Sequence, residues 1–184
     1  MQNQQWMEKI AGGDHRAFRQ LYEHYAPAIY RLCLRFLNNR SEAEDAVQDI
    51  FVKIHHSLPE FKGRSKLATW IYRISVNHCL NLKRKRRLAS FLSLEFLDAL
   101  NSSPAEATPD PHQALEKDES ENLVRQAIQK LPGRQRLALI LSRYEGKSYQ
   151  EIAEVMACSV PAVESCLHHA KKNLAAALKK YLGK

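Results

Sequence analysis

Apolar residues recur along this chain at steps of three and four, and almost nowhere at steps of two. Phe18, Leu21, Tyr22, Tyr25, Ile29, Leu32, Cys33 and Phe36 make one stripe, which predicts an amphipathic helix. Asn38 and Asn39 break it. Ser41-Glu-Ala-Glu44 has the form of a capping box, so a second helix is expected to open there, with Ala43, Ala46, Val47, Ile50, Phe51 and Ile54 on one face. The Pro and Gly of LPEFKGRSK mark a loop. After it, Leu67, Ile71, Ile74, His78 and Leu82 form a third stripe that runs straight into KRKRR.

Residues 88–122 begin with a short apolar stretch, SFLSLEFL, and become NSSPAEATPDPHQALEKDESE, with three prolines in eight residues. Such a composition predicts a linker rather than a packed element. Helical spacing resumes with Val124, Ala127, Ile128 and Leu131, then LPGR makes a turn. Leu137, Ile140, Leu141 and Tyr144 follow, and Glu145-Gly146-Lys147 ends that helix. Ser148-Tyr-Gln-Glu151 is a second capping box, opening a short helix with Ile152, Ala153 and Met156. A longer helix after CSV carries Val163, Leu167, Ala170, Leu174 and Leu178. The expectation is an all-α chain of two small helical domains, 1–87 and 121–184, joined by an acidic flexible linker at 88–120. The second domain should hold four helices, including a helix-turn-helix.

Charge sharpens this picture. Of the 184 residues, 45% are hydrophobic and 26% charged, as in a folded chain, but the charges are segregated. Residues 1–87 carry a net +8, residues 88–122 a net −7 and residues 123–184 a net +7. Two basic blocks point to two polyanion contacts, since phosphate neutralisation supplies most nucleic-acid affinity. The four cysteines are scattered without a C-x-x-C pair, and the N-terminus is polar with no apolar signal core. No run approaches the ~18 apolar residues of a membrane span. The expected setting is a reducing cytoplasm, with no membrane insertion and the cysteines as thiols.

The stretch AEVMACSVPAVESCLHHAKK, residues 153–172, could be a zinc site or a DNA reader. Its C-x7-C-x-H-H spacing is not a usual zinc pattern, and adjacent histidines on a helix diverge by about 100°. No metal or other cofactor is therefore expected. A helix-turn-helix fits better. Ala153 is small where the helices must approach, and Ile152, Met156, Cys158 and Val163 point inward, with Cys166 at the edge. Ser159 can cap the second helix and Pro161 suits its first turn. The outward face carries Ala162, Glu164, Ser165, His168, His169, Lys171 and Lys172. Ser165, Glu164 and the histidines can address base edges, and the lysines phosphates.

In LATWIYRISVNHCLNLKRKRR, Trp70, Arg73, Asn77 and Asn81 fall at steps of three, four and four, on one face. An aromatic ring, a cation and amides in line are what single-stranded DNA requires: a stacking platform, a phosphate partner and a base-edge partner. Lys83, Arg84, Arg86 and Arg87 extend the phosphate track.

These stretches together resemble the bacterial extracytoplasmic-function (ECF) sigma factors of the sigma-70 family. SEAEDAVQDIFVKIHHSLPEFKGRSKLATWIYRISVNHCLN is similar to that group's first conserved domain, and LPGRQRLALILSRYEGKSYQEIAEVMACSVPAVESCLHHAKKNL to its second. GDHRAFRQLYEHYAPAIYRLCLRFL matches the opening helix. The resemblance implies a subunit that is not itself an enzyme and that confers promoter recognition on core RNA polymerase. By it, Asp45, Gln48, Asp49 and Phe51 would meet the β′ clamp helices, and the helices from Val124 to Tyr144 the β flap. Phe61, Lys62, Gly63, Arg64, Ser65 and Lys66, with Asn77, would capture a flipped base of the −10 element, while Trp70, Tyr72 and Arg73 belong to the melting helix. The helix-turn-helix would read the −35 element as duplex. An anti-sigma factor is an expected partner, and the acidic linker would thread toward the polymerase cleft. The chain departs from many relatives at Glu164, Cys166 and His169, often basic there, and at Asn81, commonly aspartate. Two competing readings are a stand-alone operator-binding regulator and a metal-dependent nuclease; against the latter, no acidic cluster accompanies the histidines.

Overall fold

The structure is a computed structural model that describes residues 14–61, 63–97 and 118–182. Among them every regular element is helical. The first stripe forms α1 (His15–Leu37), opened by Asp14, whose carboxylate accepts the Arg16 and Ala17 N–H groups. It closes at Asn38, which adopts the left-handed conformation (φ 56°) and returns its N–H to the Leu34 carbonyl. Asparagine tolerates this geometry better than most residues. The next residue, Asn39, starts α2 (Arg40–Ser57), its side chain accepting the Glu42 N–H at 3.0 Å. The capping box expected at Ser41 is therefore not the start signal. Asn39 reaches the third amide of the turn first, and Ser41 already lies inside the helix.

A single 3₁₀ turn (Leu58–Glu60) and a loop lead into α3 (Leu67–Leu97), 31 residues long. This helix absorbs SFLSLEFL, ten residues beyond the boundary expected at 87. α4 (Asp118–Lys130) likewise begins before 121. The three prolines of the acidic stretch lie outside the described residues.

α5 (Gly133–Arg143), α6 (Tyr149–Met156) and α7 (Val160–Leu182) complete the chain. The box at Ser148 is present in both directions: its Oγ accepts the Glu151 N–H, and the Glu151 carboxylate accepts the Ser148 N–H.

The helices α1, α2 and α3 pack around Leu21, Ile29, Leu32, Phe36, Ile50, Ile54 and Ile71, all fully buried. The second group packs α4, α5 and α6 on α7 around Leu137, Ile140, Leu141, Ile152 and Val163. The two cores meet in one continuous cluster, with α3 lying against α6 and α5, and α1 against α5.

Candidate nucleic-acid interface

At about 100° per residue, α3 carries three faces. The first faces α1 and α2 through Leu67, Ile71, Ser75 and His78, all buried. His78 lies between Lys53, whose Nζ is 2.6 Å from Nδ1, and Asp49, whose carboxylate is 3.7 Å from Nε2. Burial first, and then the Lys53 charge, lower its pKa, so it stands there as a neutral ring.

The second face is open. Trp70 is half-buried, its ring 5.0 Å from that of Phe61, while Asn77, Asn81 and Arg84 are exposed. In the loop before it, Gly63 holds φ +67°, a conformation side chains resist, so the chain can turn there. Arg64 and Lys66 project into solvent beside half-buried Ser65. Lys62 lies outside the described residues. Further along, Arg84, Arg86 and Arg87 are exposed, and Arg86 is ion-paired with Glu42 across to α2.

The third face is covered by the second domain, and the sequence did not announce it. Tyr72 is buried and its hydroxyl donates to the Glu145 carboxylate at 2.9 Å. Burial and that carboxylate both raise the phenol's pKa, so it remains a donor. Arg73 donates from Nε and Nη2 to the Glu154 carbonyl (3.2 and 2.8 Å). Lys83 donates to the Leu131 carbonyl at 2.9 Å, and burial with the nearby Arg136 charge pulls its pKa down to about 8. Tyr72, Arg73 and Lys83, expected on DNA, are thus engaged within the chain.

The helix-turn-helix is formed by α6 and α7. Ala157 makes the turn in the left-handed region (φ 49°), and Ser159 caps α7, its Oγ accepting the Ala162 N–H at 3.4 Å. Pro161 occupies the first turn of α7, where its missing N–H leaves no gap. Ile152, Ala153, Met156 and Val163 are buried, and Cys158 and Cys166 are half-buried against the same core. Ser159, Pro161, Glu164, Ser165, His168, His169, Lys171 and Lys172 are exposed, with Ala162 half-buried among them. Among the described residues no three His, Cys, Asp or Glu side chains converge as metal ligands. No helix there is long and apolar enough to cross a membrane.

On α2, Asp45, Gln48 and Asp49 are exposed, but Phe51 is 4% exposed and packs edge-on against Tyr22. Phe51 is a core residue, since it shares the inner stripe with Val47 and Ile54. Val52, 56% exposed, instead completes the outer row 45, 48, 49, 52. In the second domain a groove of about 460 Å³ opens between α4, α5 and α7, lined by Val124, Ile128, Leu139, Tyr144 and Leu174 among others.

The sequence reading also missed Arg136. It is 5% exposed, donates to the Phe36 carbonyl at 2.7 Å and to the Gln129 side chain at 2.5 Å, and lies over the Phe36 ring. Its main acceptor is a backbone atom 100 positions away, for which no sequence pattern exists.

Comparison with known proteins places this geometry. Residues 21–89 match the Sigma-70 region 2 family and residues 121–174 the Sigma-70 region 4 family. The RNA polymerase sigma-H factor of Pseudomonas aeruginosa is 36% identical over 98% of this chain and 96% of its own. The ECF sigma factor SigW of Bacillus subtilis is 30% identical (91% and 92% covered), and the ECF sigma-E factor of Escherichia coli 31% (90% and 88%). Among solved structures, CnrH in complex with the cytosolic domain of CnrY superposes with a TM-score of 0.69 at 26% identity, covering 98% of this chain and 99% of that one. Sigma factor RpoE in complex with the anti-sigma factor NepR from Bartonella quintana gives 0.64 at 25% identity, covering 88% and 96%. With both family regions present in order, and with relatives aligned over nearly its whole length, this chain belongs to the sigma-70 family as an ECF RNA polymerase sigma factor, a protein that directs transcription initiation.

Proposed function

We propose that the chain works as two DNA-reading modules with separate tasks, 1–87 and 121–184, connected through the acidic stretch 88–120. The first module docks on the clamp helices of core RNA polymerase through the outer row Asp45, Gln48, Asp49 and Val52. Its loop from Phe61 to Lys66 and the open face of Trp70, Asn77 and Asn81 take up melted −10 DNA, and Arg84 to Arg87 follow the phosphates, while Arg73 and Lys83 flank that face on the side that meets the second domain. The second module reads −35 duplex through the outer face of α7 from Ser159 to Lys172. The groove between α4, α5 and α7 receives an apolar helix of the polymerase β flap.

The observation that carries this reading is the open face of α3. A tryptophan supported by Phe61 stands in line with exposed Asn77 and Asn81 and leads to exposed arginines. Stacking on an aromatic ring contributes roughly 1–3 kcal/mol per base, which helps offset the few kcal/mol needed to unstack one. The polymerase supplies the catalysis and this chain the specificity, in the cytoplasm. Two of the similar structures are complexes with CnrY and with the anti-sigma factor NepR. By that likeness an anti-sigma factor restrains this chain too.

Run-off transcription on pooled genomic promoter fragments tests the reading. Discrete transcripts that need both core polymerase and this chain are expected, and the alignment of their starts gives the promoter. Duplex binding without any polymerase-dependent transcript would favour an operator-binding regulator instead.

A further inference from the structure

The charges on the outer face of α7 are sorted along its length. The exposed positions near its start are Pro161, Glu164, Ser165, His168 and His169, and cations come only after them, at Lys171 and Lys172. At about 100° per residue, Pro161, Ser165, His168 and Lys172 make the outermost line, opposite buried Val163, Leu167 and Ala170, and Glu164 flanks that line beside His168. The face is held firmly. Ser159 caps the helix through the Ala162 N–H, the Cys158 N–H donates to the Ala153 carbonyl across the turn at 3.0 Å, and Asn173 donates to the Gln135 side chain of α5 at 2.9 Å. The His168 ring meets that of His169 edge-on, 5.6 Å between centroids. Among the described residues the Glu164 carboxylate has neither an ion pair nor a hydrogen bond.

We propose that Glu164 selects cytosine at one base pair of the −35 element, and does so mainly by exclusion. This rests on the reading of α7 as the −35 helix. A carboxylate only accepts hydrogen bonds. In the major groove the donors are the amino groups of cytosine and adenine, whereas guanine and thymine present acceptors. Adenine sets its N7 acceptor beside its amino group, so cytosine, which presents a donor alone, is the better match. Against guanine or thymine the carboxylate would face acceptors and flanking phosphates without a donor, a penalty that a neutral side chain would not create. Lys171 and Lys172 cannot supply the missing cation, because they stand seven and eight residues on, about 10–12 Å further along the axis. The lysines thus add affinity without regard to sequence, and Glu164 adds discrimination at the expense of affinity.

The test uses the full chain with core RNA polymerase and a promoter found by run-off transcription, its −35 region varied one base pair at a time on barcoded templates. The parent should favour cytosine, on one strand, at a single −35 position by about tenfold, within the range of one base contact. Glu164→Ala should raise transcription from the disfavoured templates at that position and leave the preferences elsewhere in −35 unaltered. Glu164→Arg, whose guanidinium can pair with guanine O6 and N7, should move the preference there to guanine. Because the side chain is exposed and makes no contact that either substitution would break, the circular dichroism of both variants should match the parent.

If Glu164→Ala raises transcription by the same factor on every template, the carboxylate acts through its charge alone and the proposal is overturned. It is overturned as well if the parent's −35 preferences include no cytosine that Glu164→Ala loses, or if Glu164→Arg still favours cytosine at that position. In these cases the reading of α7 stands, since other −35 positions still govern transcription. If no −35 substitution alters transcription by the parent, or no promoter is found, the reading of α7 fails and the proposal fails with it.

Discussion

Arg136 offers the sharpest energetic test of how the two domains are joined. The residue is 5% exposed, meets no carboxylate among the described residues, and is held by neutral acceptors: the Phe36 carbonyl at 2.7 Å, the Gln129 amide oxygen at 2.5 Å and the Leu131 carbonyl at 3.4 Å. Nε has no hydrogen-bond partner among the described residues, and burial pulls the pKa down to about 10, which still leaves the group charged at neutral pH. Hydrogen bonds to a charged group contribute roughly 1.5–3 kcal/mol each, and the cation over the Phe36 ring adds about 1 kcal/mol. Desolvation of the guanidinium takes back several kcal/mol. Arg136→Ala removes the penalty together with the bonds but strands the Phe36 carbonyl at a helix end, so a net loss of about 3 kcal/mol is expected. For a chain of this size that lowers Tm by roughly 6–12 °C. Calorimetry should also show the parent unfolding in one transition, because its two cores are continuous, and Arg136→Ala unfolding in two. A variant within about 0.5 kcal/mol of the parent, still with one transition, would refute the reasoning.

Other consequences are checked more simply. With the two domains packed together the Lys83 pKa is drawn from 10.5 to about 8, so the penalty of burying its charge is fully present below pH 8. Stability should therefore rise with pH from about 8 to 10.5, and Lys83→Met should remove that rise in urea unfolding. Ser148→Ala removes the Oγ that accepts the Glu151 N–H while keeping the backbone N–H that donates to the Glu151 carboxylate, and should destabilise the second domain by about 1 kcal/mol in urea unfolding. Cys33 and Cys79 are fully buried with sulfurs 3.9 Å apart, and the Cys79 thiol is raised well above its usual pKa by Cys33 and by burial. Iodoacetamide should thus alkylate half-exposed Cys158 and Cys166 in the native protein and reach Cys33 and Cys79 only after unfolding. Mass spectrometry of the labelled peptides decides it.

Much of the fold was legible because its determinants are local. The three-and-four spacing marks the core stripes of α1, α2 and α3, and the Ser148 box marks the start of α6 by chemistry confined to four residues. The helix-turn-helix was legible for the same reason, since its cap, turn and inward positions all fall within residues 148–167. What was not legible depends on partners distant along the chain. Tyr72 looks like an ordinary surface position on a helix whose core face is set by Ile71 and His78. Its hydroxyl finds its partner in Glu145, 73 positions further along the chain. Arg136 is invisible for that reason too, its acceptors being carbonyls that any residue type would supply. Phe51 was misplaced by resemblance, whereas its own periodicity with Val47 and Ile54 already set it inside. The start of α2 was misjudged because Asn39 and Ser41 are both competent caps, and only the geometry left by Asn38 decides between them.

The central claim is that α3 melts and holds the −10 strand while α7 reads duplex. It is tested most directly by comparing Trp70→Ala with His168→Ala/His169→Ala in run-off transcription, on a fully paired promoter and on the same promoter with mismatches that pre-open the −10 region. The account predicts that Trp70→Ala loses tenfold or more on the paired template, as expected for one lost base stack, and regains most of it on the pre-opened one. The histidine variant should stay equally impaired on both. Equal impairment of Trp70→Ala on the two templates would contradict the assignment of strand opening to α3.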